Sequence, residues 1–458
     1  MINFLKDSSN KNRILALLGN TIEFFEMFLF VHMAGVISEK FFPVLASNHP
    51  VVKWIAWITM YLITPLASVF WGRRGDRHGR KNVLVVSLNC MAIATLFFVF
   101  LPTYHTVETT FPGLGHLVII VFFILRVIQG IAMAGEPLSV KLYSIEESLS
   151  DPHKSLPRWV SSMSAMESVS GFLVLGAIWL SSQWDWEHAW RIPFFVGFLG
   201  VLSSRFLRKQ ITETKDFQNF KNSKISIHFE DSIKSVLQTI RINSSGCISY
   251  AILCASYIFV FVLSYTFATP LIIEKFALPS KTIITHNMAI SLGEMLLAPF
   301  IVWAVTALNA NLKFSMVKMQ VTSLLCLIVL NLSLYDFFTL SRVTILILQV
   351  IMMSTINWSL VYGLFASSFH TCQRFTMMAA CMATAKILFF VFSILIYTPC
   401  GSSLSGFWVA SCCCCAYILL SIYIIWKKTD EHENRTKLYY DKRANPVYAT
   451  ELLKTLKS

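Results

Sequence analysis

The chemically most informative residues of this chain are ionisable side chains that lie inside apolar stretches. Asn20, Glu23 and Glu26 recur at i, i+3 and i+6 within GNTIEFFEMFLF, so on a helix they share one broad face. Arg126 lies inside a later apolar run. An arginine favours the ionised form of a nearby carboxylate, and moving it away favours the protonated form. Glu23, Glu26 and Arg126 are therefore candidates for loading and releasing a proton; the alternatives are a static ion pair and protonated glutamates that only pack helices.

Two further charges, Glu294 and Lys386, fall near the middle of later apolar runs. A carboxylate or ammonium at membrane depth costs roughly 2.5–3.5 kcal/mol on insertion scales. Such a cost favours either a mutual ion pair or contact with a charged substrate. Lys386 could instead extend to the interface or sit neutral.

The elements that must position these side chains are membrane-spanning helices. The chain has 458 residues, 55% hydrophobic and 14% charged, with a mean hydropathy of +0.61, which indicates an integral membrane protein. Twelve apolar runs are long enough to cross ~30 Å of hydrocarbon. They are 13–38, 51–71, 82–101, 116–140, 159–182, 190–208, 246–272, 285–308, 314–334, 342–366, 376–398 and 404–426.

The distribution of basic residues predicts the orientation. Most of the 38 Lys and Arg residues fall on segments that share one side if both termini are cytoplasmic. The net charge of +13 then describes an inner surface facing anionic lipid, and a nucleic-acid partner is not expected. Residues 1–30 superficially resemble a signal peptide, but two glutamates interrupt the apolar core and no A-x-A site follows, so we interpret them as an uncleaved first span.

The spans divide into two groups of six around a polar stretch. We predict an N-terminal six-helix bundle over 1–208, a cytoplasmic linker over 209–245, a C-terminal six-helix bundle over 246–426 and a cytoplasmic tail over 427–458. The run Cys412–Cys415 lies in the last span, where neighbouring side chains point in different directions, so a metal site is not expected there. No cofactor is implied, and the spans carry no HExxH, GxSxG or paired-aspartate pattern of an enzyme.

A polar segment, Gly72–Lys81, interrupts the apolar sequence as GRRGDRHGRK. The glycines that bracket Asp76 allow φ > 0, so we expect a sharp reversal between two helices. One interpretation is a positive loop that only sets topology. In the other, Asp76 pairs with whichever element packs over it.

This segment resembles the signature loop of the major facilitator superfamily, Gly-x-x-x-Asp-Arg-x-Gly-Arg-Arg/Lys. The matching positions are Gly72, Asp76, Arg77, Gly79, Arg80 and Lys81. The resemblance implies an all-α membrane protein with twelve transmembrane helices in two six-helix bundles. It also implies that the loop latches the cytoplasmic gate, which makes Gly72, Asp76, Arg77, Gly79 and Arg80 gating candidates. The corresponding second-half position, AVTALNANLKF at 304–314, has lost the pattern.

Three further runs resemble the metabolite:proton symporter family, the branch that includes proline/betaine transporters. They are GNTIEFFEMFLF with Gly19, Asn20 and Glu23, RVIQGIAMAGE from Arg126 to Glu136, and WRIPFF from Trp190. The resemblance implies proton coupling through Glu23, Glu26 and Arg126. Candidate substrate-binding residues are Asn20, Gln129, Glu136, Glu294 and Lys386.

The expected function is proton-coupled import of a small polar metabolite, a zwitterion such as proline or betaine or an organic acid, across a bacterial inner membrane. An uncoupled facilitator or exchanger and a transport-incompetent sensor of the same fold are the alternatives. The residues leave substrate identity and oligomeric state open.

Overall fold

The computed structural model describes residues 8–43, 52–149, 156–214, 217–218, 221–222, 244–307, 312–356, 374–392 and 404–443. Structural statements below concern these residues. The side chain of Glu136, a predicted binding residue, lies outside the described set.

Every regular element in the described ranges is helical. The longer helices are α1 Ser8–His32, α2 Ala34–Phe41, α3 Val52–His78, α4 Arg80–Phe100, α5 Tyr104–Thr110, α6 Gly115–Leu149, α7 Leu156–Ser181, α8 Ile192–Lys209, α9 Ser244–Val262, α10 Thr269–Lys275, α11 Thr282–Ala307, α12 Leu312–Leu334, α13 Arg342–Thr355, α14 Arg374–Phe392 and α15 Leu404–Arg443. A 3₁₀ turn, Ala189–Arg191, precedes α8, and a π-helical turn, Leu263–Ala268, joins α9 to α10.

The predicted spans and these helices coincide. Over the described residues, each of the twelve apolar runs falls on helical segments; the tenth is described only within Arg342–Thr355 and the eleventh only within Arg374–Phe392. Within the described ranges, eight helices are long and apolar enough to cross a membrane, and Ala165–Ser181 and Arg342–Thr355 are shorter apolar helices. The prediction of an all-helical membrane fold is confirmed.

Local sequence signals set several helix ends. Gly79 has φ +97° and separates α3 from α4. The side chains of Thr103 and Ser341 cap α5 and α13 by accepting hydrogen bonds from the backbone N–H groups of Thr106 and Thr344. The expectation that both glycines beside Asp76 turn the chain was wrong for Gly75, because α3 continues through it to His78.

The π-helical turn follows from Pro270, which has no N–H to return to the preceding turn. Side chains of neighbouring helices bond the carbonyls of this turn instead. The Asn287 amide of α11 donates to the Tyr265 carbonyl at 3.2 Å, and the Gln349 amide of α13 donates to the Ser264 carbonyl at 3.3 Å. These bonds fix the orientation of Tyr265.

The helices before and after residues 223–243 pack against each other along two seams. One seam joins α3 to α14 and the other joins α7 to α11. Aromatic rings add a further contact, since Phe28 of α1 stacks on Phe261 of α9 with centroids 5.1 Å apart. A movement of one half against the other would change the contacts along these two seams.

The proposed linker, 209–245, is described only in part, and the exact domain boundaries stay a prediction. Its first residues pack closely, with Ile211, Thr214 and Phe217 buried. The Tyr143 hydroxyl of α6 donates to the Thr212 carbonyl at 2.8 Å. Residues 308–311, within the degenerate second-half loop, lie outside the described set.

Candidate functional site

The carboxylate of Asp76 joins the two halves at the bundle end that carries Gly72–Lys81, called here the latch end. It accepts hydrogen bonds from the backbone N–H of Phe375 at 3.2 Å and from that of Thr376 at 2.9 Å. The Thr376 hydroxyl donates a third bond at 2.7 Å. Because Phe375 and Thr376 begin α14, the acid sits at the positive end of that helix.

Glycines bring α3 close enough for these bonds. A Cβ at Gly72 would lie 2.6 Å from the Thr376 Cα, and one at Gly75 would lie 2.7 Å from the Phe375 ring. The clash at Gly72 is with backbone, which has little room to move. Gly72 is thus required for the contact between α3 and α14, as a gating role would need.

Arg80 supports the last turn of α3. Its side chain is fully buried, with Nη1 3.5 Å from Asp76 Oδ1 and donating to the Gly75 carbonyl at 2.9 Å. Its guanidinium lies 4.8 Å from the centroid of the Phe217 ring. Arg77, by contrast, is exposed. Of the two arginines in the motif, Arg80 is the one placed to hold Asp76.

Burial raises the pKa of Asp76 to about 7, while Arg80 and the hydrogen bonds from Thr376 and Phe375 act in the opposite direction.

A second acid, Glu213, accepts hydrogen bonds from the backbone N–H groups of Arg80 at 3.0 Å and Lys81 at 3.2 Å. Burial also raises the pKa of Glu213, and its bonds from backbone N–H groups lower it. Two partly buried carboxylates therefore lie at the latch end, both at helix N-termini.

Gly79 leaves space for Glu213. A Cβ there would lie 2.0 Å from Glu213 Oε2, and the φ of +97° is one that other residues rarely adopt. Gly79 thus has two structural reasons to be glycine. The sequence motif indicated Gly79 but not Glu213, whose carboxylate occupies the space that a Cβ at position 79 would take.

Arg126 lies at the centre of the first half, where it is fully buried. Its Nη1 donates to Gln129 Oε1 at 2.8 Å, and its guanidinium lies 3.8 Å from the centroid of the Phe30 ring. The Gln129 amide donates to the Thr95 hydroxyl at 3.5 Å. The Thr95 hydroxyl in turn donates to Glu26 Oε2 at 3.0 Å. Arg126 and Glu26 therefore belong to one buried polar network, and their coupling role stays a prediction.

Glu23 and Asn20 are almost completely buried on the same helix. Gly19 leaves space beside them for the guanidinium of Arg208 from α8, since a Cβ there would lie 2.3 Å from Arg208 Nε. Lys386 of α14 is within electrostatic reach of Glu23. The centre of α1 thus faces cations from both halves of the chain.

A second charge cluster crosses the seam between α7 and α11. Lys141 Nζ lies 2.8 Å from Glu167 Oε1 in a buried ion pair. Glu294 of α11 is also buried, and the Tyr265 hydroxyl donates to its Oε2 at 3.5 Å. Tyr265 and Ser291 share a hydrogen bond of 2.9 Å between their hydroxyls.

These contacts differ from the expected pairing of Glu294 with Lys386. Glu294 lies with Glu167 and Tyr265, whereas Lys386 lies towards Glu23 and Lys141. Charge sign alone could not decide which of several buried acids meets which cation. Lys141 was missed because the apolar run was taken to end at residue 140, while α6 continues to Leu149.

Comparisons with known proteins agree with this architecture. The chain is 29% identical over 214 residues to the proline/betaine transporter of Escherichia coli K12, covering 44% of this chain and 40% of that protein. It is 26% identical over 223 residues to a putative proline/betaine transporter of Staphylococcus aureus, covering 48% and 46% respectively. The alignments therefore span less than half the length of these curated relatives.

Solved structures share the fold over nearly the whole chain. The proton:xylose symporter XylE bound to 6-bromo-6-deoxy-D-glucose superposes with a TM-score of 0.70 at 12% identity, covering 93% of this chain and 96% of that one. An outward-facing bacterial homologue of the iron transporter ferroportin gives 0.65 at 14% identity, covering 92% and 99%.

A family model also matches most of the sequence, in agreement with the helices, seams and latch described above. The family model of the Major Facilitator Superfamily matches residues 17–396. This chain is a multi-pass membrane protein that belongs to the major facilitator superfamily.

Proposed function

We propose that this protein is a proton-coupled secondary transporter that imports a small polar metabolite by alternating access. One observation carries the proposal: buried or half-buried charges of both signs come from helices of both halves and lie where the two halves pack together. Glu23, Lys141 and Glu167 come from the first half, and Glu294 and Lys386 from the second. A relative movement of the halves would change these distances.

Proton coupling is supported by the network of Arg126, Gln129, Thr95 and Glu26. Neutral hydrogen-bonding groups lie between guanidinium and carboxylate, so a modest helix shift can strengthen or weaken the influence of the cation on the acid. Glu23 lies one turn away on the same helix. In this scheme Glu23, Glu26 and Arg126 exchange a proton with water on alternate sides.

The substrate class follows from the charges. A site that offers both carboxylates and ammonium groups suits a zwitterion, and Lys386 with Lys141 would also suit an organic acid. The relatives named as proline/betaine transporters support the zwitterion. Asn20 and Gln129 add buried neutral polar groups.

The latch supports an alternating-access cycle. Asp76, Arg80, Gly72 and Gly79 would hold the gate closed at the latch end, and breaking the bonds to Thr376 would open it. We place this end and both termini on the cytoplasmic side of a bacterial inner membrane, where the basic residues face anionic lipid.

Uptake into proteoliposomes tests the proposal. Radiolabelled proline, glycine betaine, 2-oxoglutarate and citrate are supplied with and without an imposed inward proton gradient. Accumulation of one compound above its external concentration only with the gradient is expected. Equal uptake in both conditions would indicate an uncoupled facilitator, and absence of saturable uptake by correctly folded protein would favour the sensor. Liposomes without protein are the matched control.

A further inference from the structure

Glu167 and Glu294 form a pair of carboxylates across the seam between the two halves. Both are about 5% exposed, and each is within the electrostatic influence of the other. Their helices, α7 and α11, pack along their lengths. Ser291 lies one turn before Glu294, and a Cβ at Gly171 would lie 3.2 Å from its Oγ, so this part of the seam has close helix contact.

The two acids have different surroundings. Glu167 has a cation, because Lys141 Nζ lies 2.8 Å from its Oε1. Glu294 has hydroxyl groups, those of Tyr265 and Ser168, as its hydrogen-bonding neighbours in the described structure. Lys141 thus contacts Glu167, whereas the hydrogen bonds to Glu294 come from neutral hydroxyl groups.

The other groups that face Glu294 are also uncharged or acidic. The elements packed on α11 bring Glu167 and Ser168 from α7, Tyr257 and Tyr265 from α9 and the π-helical turn, and Gln349 from α13, which bonds His286 at 2.8 Å. The nearest of these are hydroxyl groups and a second acid. Two neighbouring carboxylates repel each other when both are ionised. The pair is therefore most stable when one of the two acids carries a proton.

We propose that Glu294 carries the transported proton, and that Glu167, held ionised by Lys141, determines when the proton leaves. The inference rests on the proposed symport and adds a protonation site at the seam between the halves to the network of Glu26 and Arg126, so that both are required for coupling. Water on one side protonates a Glu294 oxygen while the halves are apart. The protonated acid is stable when the seam closes beside Glu167, and the same proton returns to water when the seam opens on the other side.

Tyr265 is a positioning residue in this scheme. The π-helical turn and the bonds from Asn287 and Gln349 hold its backbone, and its hydroxyl is shared between Ser291 and Glu294. A hydroxyl can donate to an ionised acid and accept from a protonated one. Tyr265 can therefore bond Glu294 in both states of the cycle.

Infrared spectroscopy of the purified protein tests the proton directly, without a substrate. A carbonyl-stretch band of protonated carboxylic acid is expected in the wild type at neutral pH, and the component that Glu294 contributes should be missing in Glu294→Gln. Glu274→Gln, at an exposed acid of α10, is the matched control and should keep the band. An unchanged band in Glu294→Gln would overturn the proposal. If Glu294→Gln does not fold, Glu294→Asp should shift the band, and an unshifted band would overturn the proposal equally.

Proteoliposomes separate this inference from the proposed symport. With the panel compound that the wild type accumulates, solute-driven proton uptake is followed by a trapped pH indicator and should be lost in Glu294→Gln. Any solute movement that this variant retains should not respond to the gradient, and Glu294→Asp should restore part of the response. Gradient-driven accumulation by Glu294→Gln would refute the role of Glu294 alone. A wild type that moves solute without protons would refute the symport itself.

Discussion

Asp76 accepts two hydrogen bonds from Thr376, one from the backbone N–H at 2.9 Å and one from the hydroxyl at 2.7 Å, although the residues are 300 positions apart in the chain. A signature carboxylate of the first half thus binds the first turn of a second-half helix. Since Gly72 fixes the distance between the backbones, the contact is specific in position as well as in charge.

Replacement of Asp76 by alanine should open the latch. The change removes every bond that the acid accepts and leaves the N–H groups of Phe375 and Thr376 without it, at a cost of about 1–3 kcal/mol for each buried group left unsatisfied. Hydrogen-exchange protection factors of these two amides should fall at least tenfold. Glu108→Gln, in α5 after the far end of α4, is the control and should leave them unchanged. Equal protection in Asp76→Ala would show that Asp76 does not hold α14.

The latch should also respond to pH. Burial raises the pKa of Asp76 from 3.8 to about 7, and opening to water would return it towards the lower value. The latched state then binds the proton more tightly, so it gains stability as the pH falls from about 7 and loses that gain as the pH rises through about 7. The protection factors of the Phe375 and Thr376 amides should follow this curve. Asp76→Asn cannot titrate and should flatten it, whereas a sloping curve in that variant would assign the effect to another group.

The sequence predicted one side of this latch and not the other. A charged motif between apolar runs is conspicuous, and the resemblance to a known family gave Asp76 and Arg80 a role. The partners of Asp76 are mainly backbone N–H groups, which any residue type provides, so no pattern at Phe375 and Thr376 could indicate them. Arg374, the basic residue that begins α14, is fully buried.

The charges inside the apolar runs were also predictable only in part. Their presence was evident from the sequence because a charged residue in an apolar run is costly. Their pairing depends on the rotation and depth of each helix, which neither span length nor charge sign determines. Thus Glu294 was found from the sequence, but its neighbours Glu167 and Tyr265 were not assigned to it.

Gly72→Ala should separate α3 from α14. The added Cβ would lie 2.6 Å from the Thr376 Cα, and overpacking of this kind costs typically about 1–3 kcal/mol. Transport turnover should change and the protection of the Thr376 amide should decrease. Gly176→Ala in α7 is the matched control, because nothing lies within 4 Å of the Cβ it would add. If the two alanine variants behave alike, close approach at Gly72 is not required.

Arg126→Ala should abolish gradient-driven accumulation while leaving membrane insertion intact. It removes the donor to Gln129 and the cation over Phe30, and a hydrogen bond to a charged group contributes about 1.5–3 kcal/mol, so a loss of at least tenfold is expected. Arg126→Lys keeps the charge without the planar donor group and should recover only part of the activity. Uphill uptake by the alanine variant at the wild-type level would exclude a coupling role.

A double-mutant cycle on Lys141 and Glu167 measures the buried ion pair. Lys141→Met alone leaves the carboxylate of Glu167 buried without its ammonium, and breaking such a pair costs about 3–5 kcal/mol. Glu167→Gln alone removes the carboxylate that lies 2.8 Å from Lys141 Nζ and should also lower the thermal unfolding temperature in detergent. The double variant removes both charges and should be more stable than either single variant, since neither charge then remains buried alone. Additive losses would mean that the 2.8 Å contact carries no coupling energy, and Glu167 would then lack the cation that is proposed to keep it ionised beside Glu294.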